Sequence, residues 1–284
     1  MSENKPIIAF MYDFDKTLCT KDMQEYTFIP NVGTTSDEFW TKSRNLAKKE
    51  KMDAILAYMY TMLKRASGVD VSIHREDFVE MGKNIRFFPG VDTWFNRINR
   101  FGEKLGVKIE HYVISSGLRE IIEGSSIYKE FHEVFACEFY YGVNNVACWP
   151  KNVVNYTTKT QFLYRVNKGV LDLSKDKELN QYTPEEDRPI PFRNMVYFGD
   201  GLTDVPCMKL VKVNGGYSIA VYQRGGKKAV ADLLRHNRVN YIEPADYSKG
   251  SPLEKVACDI IRQMAIKDSL VRQTKAQLKK IGRE

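Results

Sequence analysis

Short apolar runs alternate along the chain with longer segments of helical spacing. The run Ile7–Tyr12 is apolar throughout, which is typical of a strand buried on both faces of a parallel sheet. A second run at 110–114 and a third at 194–198, with weaker ones at 217–221 and 239–242, are separated by helical segments. This alternation predicts an α/β fold: a Rossmann-like, doubly wound parallel sheet with helices on both faces.

The segments between these runs carry recognisable helix and turn signals. Helices are predicted at 91–102, 118–123, 157–167, 226–236 and 252–275, several of them ended by a glycine. Residues 134–149 predict a β-hairpin with its turn at 142–145, and the polar, proline-containing residues 171–190 predict a loop.

Residues 21–86 differ from the rest of the chain because they contain no strong strand signal. Ser36 and the acidic residues after it predict a helix start, and apolar spacing predicts two helices that end near Gly68. A third helix is predicted at 75–83. The sequence therefore predicts a core domain of residues 1–20 and 87–284, with a small helical domain, residues 21–86, inserted after the first strand.

Polar residues suited to one site follow three of the predicted strands. Asp13 and Asp15 follow the first strand, Ser115 ends the second, and Asp200 and Asp204 follow the third. Since the carboxyl ends of parallel strands meet at one crevice, we expect these side chains to converge. Paired carboxylates there indicate a metal site, a nucleophile with an acid/base partner, or both.

The types of side chain at these strand ends limit the reactions that the site could perform. A cluster of aspartate carboxylates such as this one binds a hard cation. Mg²⁺ favours one or two carboxylates together with water and substrate phosphate. Ser115 and Lys159, which opens a helix between the second and third strands, are suitable donors to phosphate oxygens. The pattern indicates phosphoryl transfer, although the chain contains no GxxxxGK[ST] loop.

Four motifs in order resemble those of the haloacid dehalogenase-like hydrolase superfamily, most closely its phosphoserine-phosphatase-like branch. Residues 13–17 match DxDxT, and the strand ending at Ser115 matches the second motif. Lys159 matches the third motif, and residues 199–204 match GDGxxD. The resemblance covers about 1–20 and 87–245, and it implies that residues 21–86 are a cap of the C1 type.

The resemblance implies a role for each matched residue. Asp13 is the nucleophile that forms an aspartyl-phosphate, and Asp15 is the general acid and base. Mg²⁺ is held by the Asp13 and Asp200 carboxylates and by the backbone carbonyl of Asp15. Ser115 and Lys159 hold the phosphoryl oxygens, while Asp204 orients Lys159 or a metal-bound water. Asp15 also favours phosphate esters over halides, because a halide leaves without a proton.

The residues that select the substrate are less defined. Ser116 competes with Ser115 as the phosphate ligand, because the match depends on a one-residue alignment. In phosphoserine phosphatases a glutamate nine residues after the nucleophile contacts the substrate amine, and here Asp22 occupies that position. Asp22, Ser116 and Gly117 are therefore the substrate-contact candidates.

These observations predict an Mg²⁺-dependent phosphatase that hydrolyses a small phosphorylated metabolite, with phosphoserine-like substrates possible. Two alternatives remain open. The chain could be a weakly active or inactive binding or regulatory protein that keeps the fold, or a phosphotransferase that uses an alcohol acceptor.

Composition adds limits on location and partners. The net charge is +7, and no nucleic-acid motif accompanies it. Much of the positive excess lies towards the C-terminus, at Lys267, Arg272, Lys275, Lys279, Lys280 and Arg283. The five cysteines are scattered without a CxxC pair, which favours reduced thiols in the cytoplasm. No apolar run is long enough to cross a membrane. We expect a cytoplasmic monomer or homodimer that binds neither membrane nor nucleic acid.

Overall fold

The computed structural model describes residues 5–69 and 71–282. Its strands are β1 (Ile7–Tyr12), β2 (Lys108–Leu118), β3 (Glu133–Tyr141), β4 (Ala147–Asn152), β5 (Met195–Gly199), β6 (Tyr217–Tyr222) and β7 (Tyr241–Pro244). Within this described part of the chain they form one sheet in the order β4-β3-β2-β1-β5-β6-β7. Every neighbouring pair is parallel except β3 and β4.

The helices are α1 (Phe28–Asn31), α2 (Ser36–Glu50), α3 (Ala54–Gly68), α4 (Arg75–Met81), α5 (Val91–Lys104), α6 (Arg119–Glu123), α7 (Lys159–Lys168), α8 (Asp176–Asn180), α9 (Val205–Val213), α10 (Lys227–Arg235) and α11 (Pro252–Lys280). Both faces of the sheet are covered. Phe198 of β5 packs against Trp94 of α5, while its neighbour Tyr197 bonds to Asp204 at the start of α9. Adjacent strand residues point to opposite faces. The predicted α/β fold is confirmed.

Several predicted boundaries shift. The strand predicted at 239–242 is Tyr241–Pro244, the last helix continues to Lys280, and the predicted loop 171–190 contains α8. Strand β2 runs on to Leu118, which pairs with Cys137 after an irregularity in the register. The predicted hairpin exists as β3 and β4, but β3 also pairs in parallel with β2, so the hairpin extends the main sheet.

The segment proposed as a cap is helical where it is described. It also makes close contacts with the sheet and with α6. The Ile73 carbonyl accepts a hydrogen bond from Ala147 N–H at 3.0 Å, and Phe78 stacks on Phe139 at 5.7 Å between ring centroids. A Cβ added at Gly124 of the core would lie 1.7 Å from the Val79 oxygen of α4. These contacts fix α4 against α6, and the domain boundary at 21–86 stays a prediction.

A buried polar chain lies beneath the carboxyl end of β1. Trp94 Nε1 donates to Tyr12 Oη at 2.9 Å, and Tyr12 lies 3.0 Å from His111 Nδ1. His111 Nε2 lies 2.9 Å from Asn99 Oδ1, an acceptor, so the imidazole is neutral with its proton on Nε2. Burial lowers the pKa of His111 from 6.5 to about 3. These hydrogen bonds give partners to buried polar atoms that apolar packing alone would leave unpaired.

His111 makes the stability of the fold depend on pH. Its neutral form is fully favourable above its unfolded pKa of 6.5, and that contribution is lost as the pH falls towards about 3. Stability should fall by up to about 1.4 kcal/mol per pH unit in this range. We expect denaturant unfolding of His111→Gln to depend less on pH between 7 and 5 than the wild type does. His236→Gln, at an exposed site, is the control. An equal pH slope in His111→Gln and the wild type would refute this assignment.

Candidate active site

The carboxyl end of β1 places Asp13 in the interior. Asp13 N–H donates to the Phe198 carbonyl of β5 at 2.9 Å, and only 6% of the residue is exposed. The chain then turns sharply, with Leu18 N–H bonded to the Phe14 carbonyl at 2.9 Å. Lys16 in this turn has a positive φ of 56°, a conformation that non-glycine residues seldom adopt. The turn brings Asp15 back beside Asp13.

Lys159, the first residue of α7, joins two of the carboxylates. Its Nζ lies 3.0 Å from Asp13 Oδ1 and 2.7 Å from Asp204 Oδ1, and the residue is 1% exposed. Tyr197 Oη donates to the same Asp204 oxygen at 2.8 Å. Only a glycine fits at position 199, because a Cβ there would lie 2.5 Å from Asp204 Cγ. The result is a buried ion centre in which one lysine bridges two aspartates.

The environment shifts the pKa of each charged group in this centre. Burial raises the pKa of Asp13 to about 6, although the Lys159 ammonium opposes it. Burial lowers the pKa of Lys159, but the Asp13 and Asp204 carboxylates outweigh it and hold the pKa above its ordinary value. Lys159 is therefore a permanent cation against the Asp13 carboxylate.

A backbone group in the first residues of segment 21–86 holds the Asp15 side chain. Its Oδ1 accepts a hydrogen bond from Met23 N–H at 2.9 Å. Burial, with the Asp22 and Asp13 carboxylates adding to it, raises the pKa of Asp15 well above its ordinary range. A carboxyl with a raised pKa keeps its proton near neutral pH and can donate it. The raised pKa and the position beside Asp13 make Asp15 a candidate proton donor.

Asp200 follows β5 at the same edge of the sheet. Asp13, Asp200 and Asp204 each offer a carboxylate oxygen within 4.8 Å of the others. Burial and these two neighbours raise the pKa of Asp200 to about 8. No lysine or arginine of the described residues forms an ion pair with Asp200. Asp13 and Asp200 line the cavity, whereas Asp204 is fully buried behind Lys159, so Asp13 and Asp200 are the pair placed to meet a hard cation such as Mg²⁺.

Three candidate residues at the end of β2, Ser115, Ser116 and Gly117, differ in how they are exposed to the cavity. Ser115 is fully buried, its Oγ accepts from Gly117 N–H at 3.0 Å, and it lines the cavity described below. Ser116 lines the same cavity, and its buried Oγ has no hydrogen-bond partner in the described residues. Gly117 is buried under Met23, since a Cβ on it would lie 2.1 Å from Met23 Cε. Either serine hydroxyl is available to a bound phosphate, whereas Gly117 is covered.

Asp22, the candidate for a substrate amine, already has a cationic partner. Lys16 Nζ donates to Asp22 Oδ2 at 2.6 Å. The ion pair joins the turn after β1 to the first residues of segment 21–86. The structure therefore gives Lys16 a contact that the sequence did not predict.

One cavity of about 660 Å³ unites these residues. Its inner end is lined by Asp13, Asp15, Ser115, Ser116, Lys159 and Asp200. Its outer end is lined by residues of segment 21–86, including Trp40 and Tyr58. Asp204 lies behind Lys159 and is fully buried.

Two residues of the site, Tyr197 and Met23, are not marked by any sequence motif. Tyr197 reads as one more apolar residue of a core strand, and nothing in its spacing reveals a hydrogen bond to Asp204. Met23 acts through its backbone N–H, which no residue pattern marks. The sequence signal for Tyr197 is its hydroxyl group, since the other residues from Met195 to Gly199 are apolar.

Comparison with known proteins agrees with this geometry. A family model described as haloacid dehalogenase-like hydrolase matches residues 10–209. An uncharacterized protein of Borreliella burgdorferi is 29% identical over 282 residues, covering 89% of this chain and 96% of that protein.

Solved structures show the same fold at low identity. A HAD family hydrolase of Salmonella enterica serovar Typhi superposes with a TM-score of 0.52 at 17% identity, covering 84% of this chain and 68% of the other. A phospho-aspartyl intermediate analogue of phosphoserine phosphatase gives 0.51 at 16% identity, with coverages of 89% and 98%. No helix of the described residues is both long enough and apolar enough to cross a membrane. Because the family model spans more than two thirds of the sequence, the chain belongs to the haloacid dehalogenase-like hydrolase family.

Proposed function

We propose that this protein is an Mg²⁺-dependent phosphatase that hydrolyses small phosphate monoesters through an aspartyl-phosphate on Asp13. The observation that carries the proposal is the Lys159 bridge. A buried ammonium lies 3.0 Å from the carboxylate that would attack phosphorus, at a cavity whose lining also includes Asp15, a carboxyl with a raised pKa. A cation in such a site is poised to offset the charge of a phosphoryl group during transfer.

The reaction proceeds in two displacements. Asp13 attacks phosphorus, and the ester P–O bond breaks as Asp15 gives its proton to the departing alkoxide oxygen. Asp15, now ionised, takes a proton from water, whose oxygen attacks phosphorus and releases inorganic phosphate and free Asp13. Dividing the reaction lets one carboxyl serve as acid and then as base. Met23 N–H holds Asp15 in place for both steps.

The residues at the inner end fit a divalent cation. Asp13 and Asp200 would hold it through their carboxylates, together with the backbone carbonyl of Asp15 that the family resemblance implies. When bound, Mg²⁺ would neutralise charge on the phosphoryl oxygens. Ser115 or Ser116 would donate a hydroxyl hydrogen bond to the phosphate, and Lys159 would contact it while remaining bonded to Asp204.

Tyr197 should act as a positioning residue for this centre. In Tyr197→Phe, one hydrogen bond to the buried Asp204 carboxylate is lost, which costs about 1–3 kcal/mol of stability. We expect kcat to fall about tenfold with little change in KM, because the phosphate still meets Lys159 but in a looser geometry. Steady-state kinetics with urea unfolding measure both effects. Tyr164→Phe, on a partly exposed helical residue, is the control. Wild-type kcat in Tyr197→Phe would contradict this role.

The function itself is tested by the hydrolysis of p-nitrophenyl phosphate with Mg²⁺, after EDTA treatment, and after Mg²⁺ is restored. We expect turnover that EDTA abolishes and Mg²⁺ restores. Absence of turnover in folded wild-type protein across simple phosphate esters would favour the binding-protein alternative. Alkyl phosphate formed in place of inorganic phosphate when alcohols are added would indicate a phosphotransferase.

A further inference from the structure

A second cavity, of about 720 Å³, lies beside the two stretches of chain that connect the core to segment 21–86. Its lining includes Thr20 and Lys21 from the first stretch, and Ile85 and Arg86 from the second. Among the described residues, Glu25 alone lines both this cavity and the catalytic one. We call it the junction cavity, and the proposed phosphoryl chemistry makes no use of it.

Hydrogen bonds fix the backbone that lines the junction cavity. Cys19 and Phe87 form an antiparallel bridge between the two connecting stretches. Thr20 N–H donates to the Arg86 carbonyl at 3.0 Å, and Tyr26 Oη donates to the same carbonyl at 3.1 Å. Lys21 and Arg86 therefore project from backbone positions that are held next to each other.

Three cationic residues, Lys21, Lys83 and Arg86, line this cavity. Within residues 5–69 and 71–282, neither Lys21 nor Arg86 forms an ion pair with a carboxylate. Lys83 pairs with Glu80 at 2.6 Å, but both side chains are exposed, and such a pair stabilises little. Two cations on neighbouring stretches, one of them a guanidinium that can donate two parallel hydrogen bonds, favour a polyvalent anion.

The one carboxylate in the lining, Glu25, is engaged by groups of the other cavity. Trp40 Nε1 donates to Glu25 Oε1 at 3.1 Å, and Glu25 is also hydrogen-bonded to Asp22. Trp40 and Asp22 both line the catalytic cavity and not the junction cavity. The junction cavity thus keeps an excess of positive charge.

Neutral donors accompany these cations. Thr27 lines the junction cavity, and its buried Oγ1 has no hydrogen-bond partner in the described chain. The side-chain amides of Asn31 and Asn84 are in the same lining. An unpaired buried hydroxyl is costly, and the oxygen of an anion would give it an acceptor.

We propose that the junction cavity is a second anion site, which binds a small polyanion of the phosphate type separately from the catalytic cavity. Lys21 and Arg86 would contact its charged oxygens, and Thr27 and Asn84 would supply neutral donors. The volume suits a ligand larger than one phosphate group. Because the two cations belong to the two connecting stretches, a bound anion would tie these stretches together. The inference does not depend on the proposed phosphatase function.

Calorimetric titration with pyrophosphate in the presence of EDTA tests this site without turnover. We expect the double variant Lys21→Gln/Arg86→Gln to bind pyrophosphate at least about tenfold more weakly than the wild type. Lys48→Gln/Arg100→Gln, at two exposed residues outside the cavity, removes the same charge and should keep wild-type affinity. Equal affinities in the two double variants, or no binding to the wild type, would overturn the proposal.

Hydrogen exchange locates the bound anion. Pyrophosphate should slow amide exchange in wild-type peptides that span 20–27 and 84–88, because the anion joins these two stretches. The same peptides of Lys21→Gln/Arg86→Gln should show no such slowing. Slowing confined to peptides of the catalytic cavity outside these two ranges would place pyrophosphate there and overturn the junction site.

Discussion

Asp13→Asn is expected to lower phosphatase turnover by on the order of 10³-fold or more, because an amide oxygen cannot serve as the nucleophile. The fold should persist, since asparagine has nearly the same shape and its Oδ1 can still accept from Lys159. Removing one carboxylate also relieves its repulsion of Asp200, whose pKa it helps to raise. Initial rates with saturating Mg²⁺, together with circular dichroism, measure the two parts of this prediction.

The control for this variant is Asp92→Asn, at an exposed residue of α5. It should keep wild-type rates and stability. Near-wild-type turnover in purified Asp13→Asn would remove Asp13 as the nucleophile, whatever the other residues do.

Lys159→Met should cost about 3–5 kcal/mol of stability as well as turnover. The buried ammonium is the cation that both Asp13 and Asp204 contact, and removing one member of a buried ionic set leaves the others uncompensated. The penalty should shrink as the pH is lowered, because protonation of the stranded carboxylates removes their charge. Urea unfolding at pH 7 and pH 5 measures both the loss and its pH dependence.

Lys151→Met is the matched control, since Lys151 pairs with Glu138 at 2.7 Å but its side chain is 55% exposed. A surface pair of this kind contributes about 0–1 kcal/mol. A loss in Lys159→Met no larger than in Lys151→Met would show that the buried bridge does not stabilise the fold.

The residues that line the inner end of the cavity can be located from the sequence because they follow strand ends. Asp13 and Ser115 come directly after the first and second predicted strands, and Asp200 comes after the third with one glycine between them. The carboxyl ends of parallel strands meet at one edge of the sheet, which brings these positions together. The prediction that Lys159 belongs to the site depends on the family motif as well, since a lysine after a polar loop is otherwise expected at the surface.

The remaining contacts depend on tertiary geometry that no local pattern encodes. The Lys16 pair with Asp22 forms in a turn where Lys16 has a positive φ, and Tyr197 reaches Asp204 because Gly199 leaves room for that carboxylate. The same holds for the fold. Strand β3 reads as half of a hairpin because its turn is local, whereas its pairing with β2 joins residues about twenty positions apart.

The central claim is that Asp13 carries the phosphoryl group. It is tested most directly by quenching the wild-type enzyme with acid during steady-state turnover and analysing its peptides by mass spectrometry. We expect a peptide bearing the mass increment of one phosphoryl group on Asp13, which hydroxylamine removes and which is absent in Asp13→Asn. A phosphoryl group found on another residue under these conditions would contradict it.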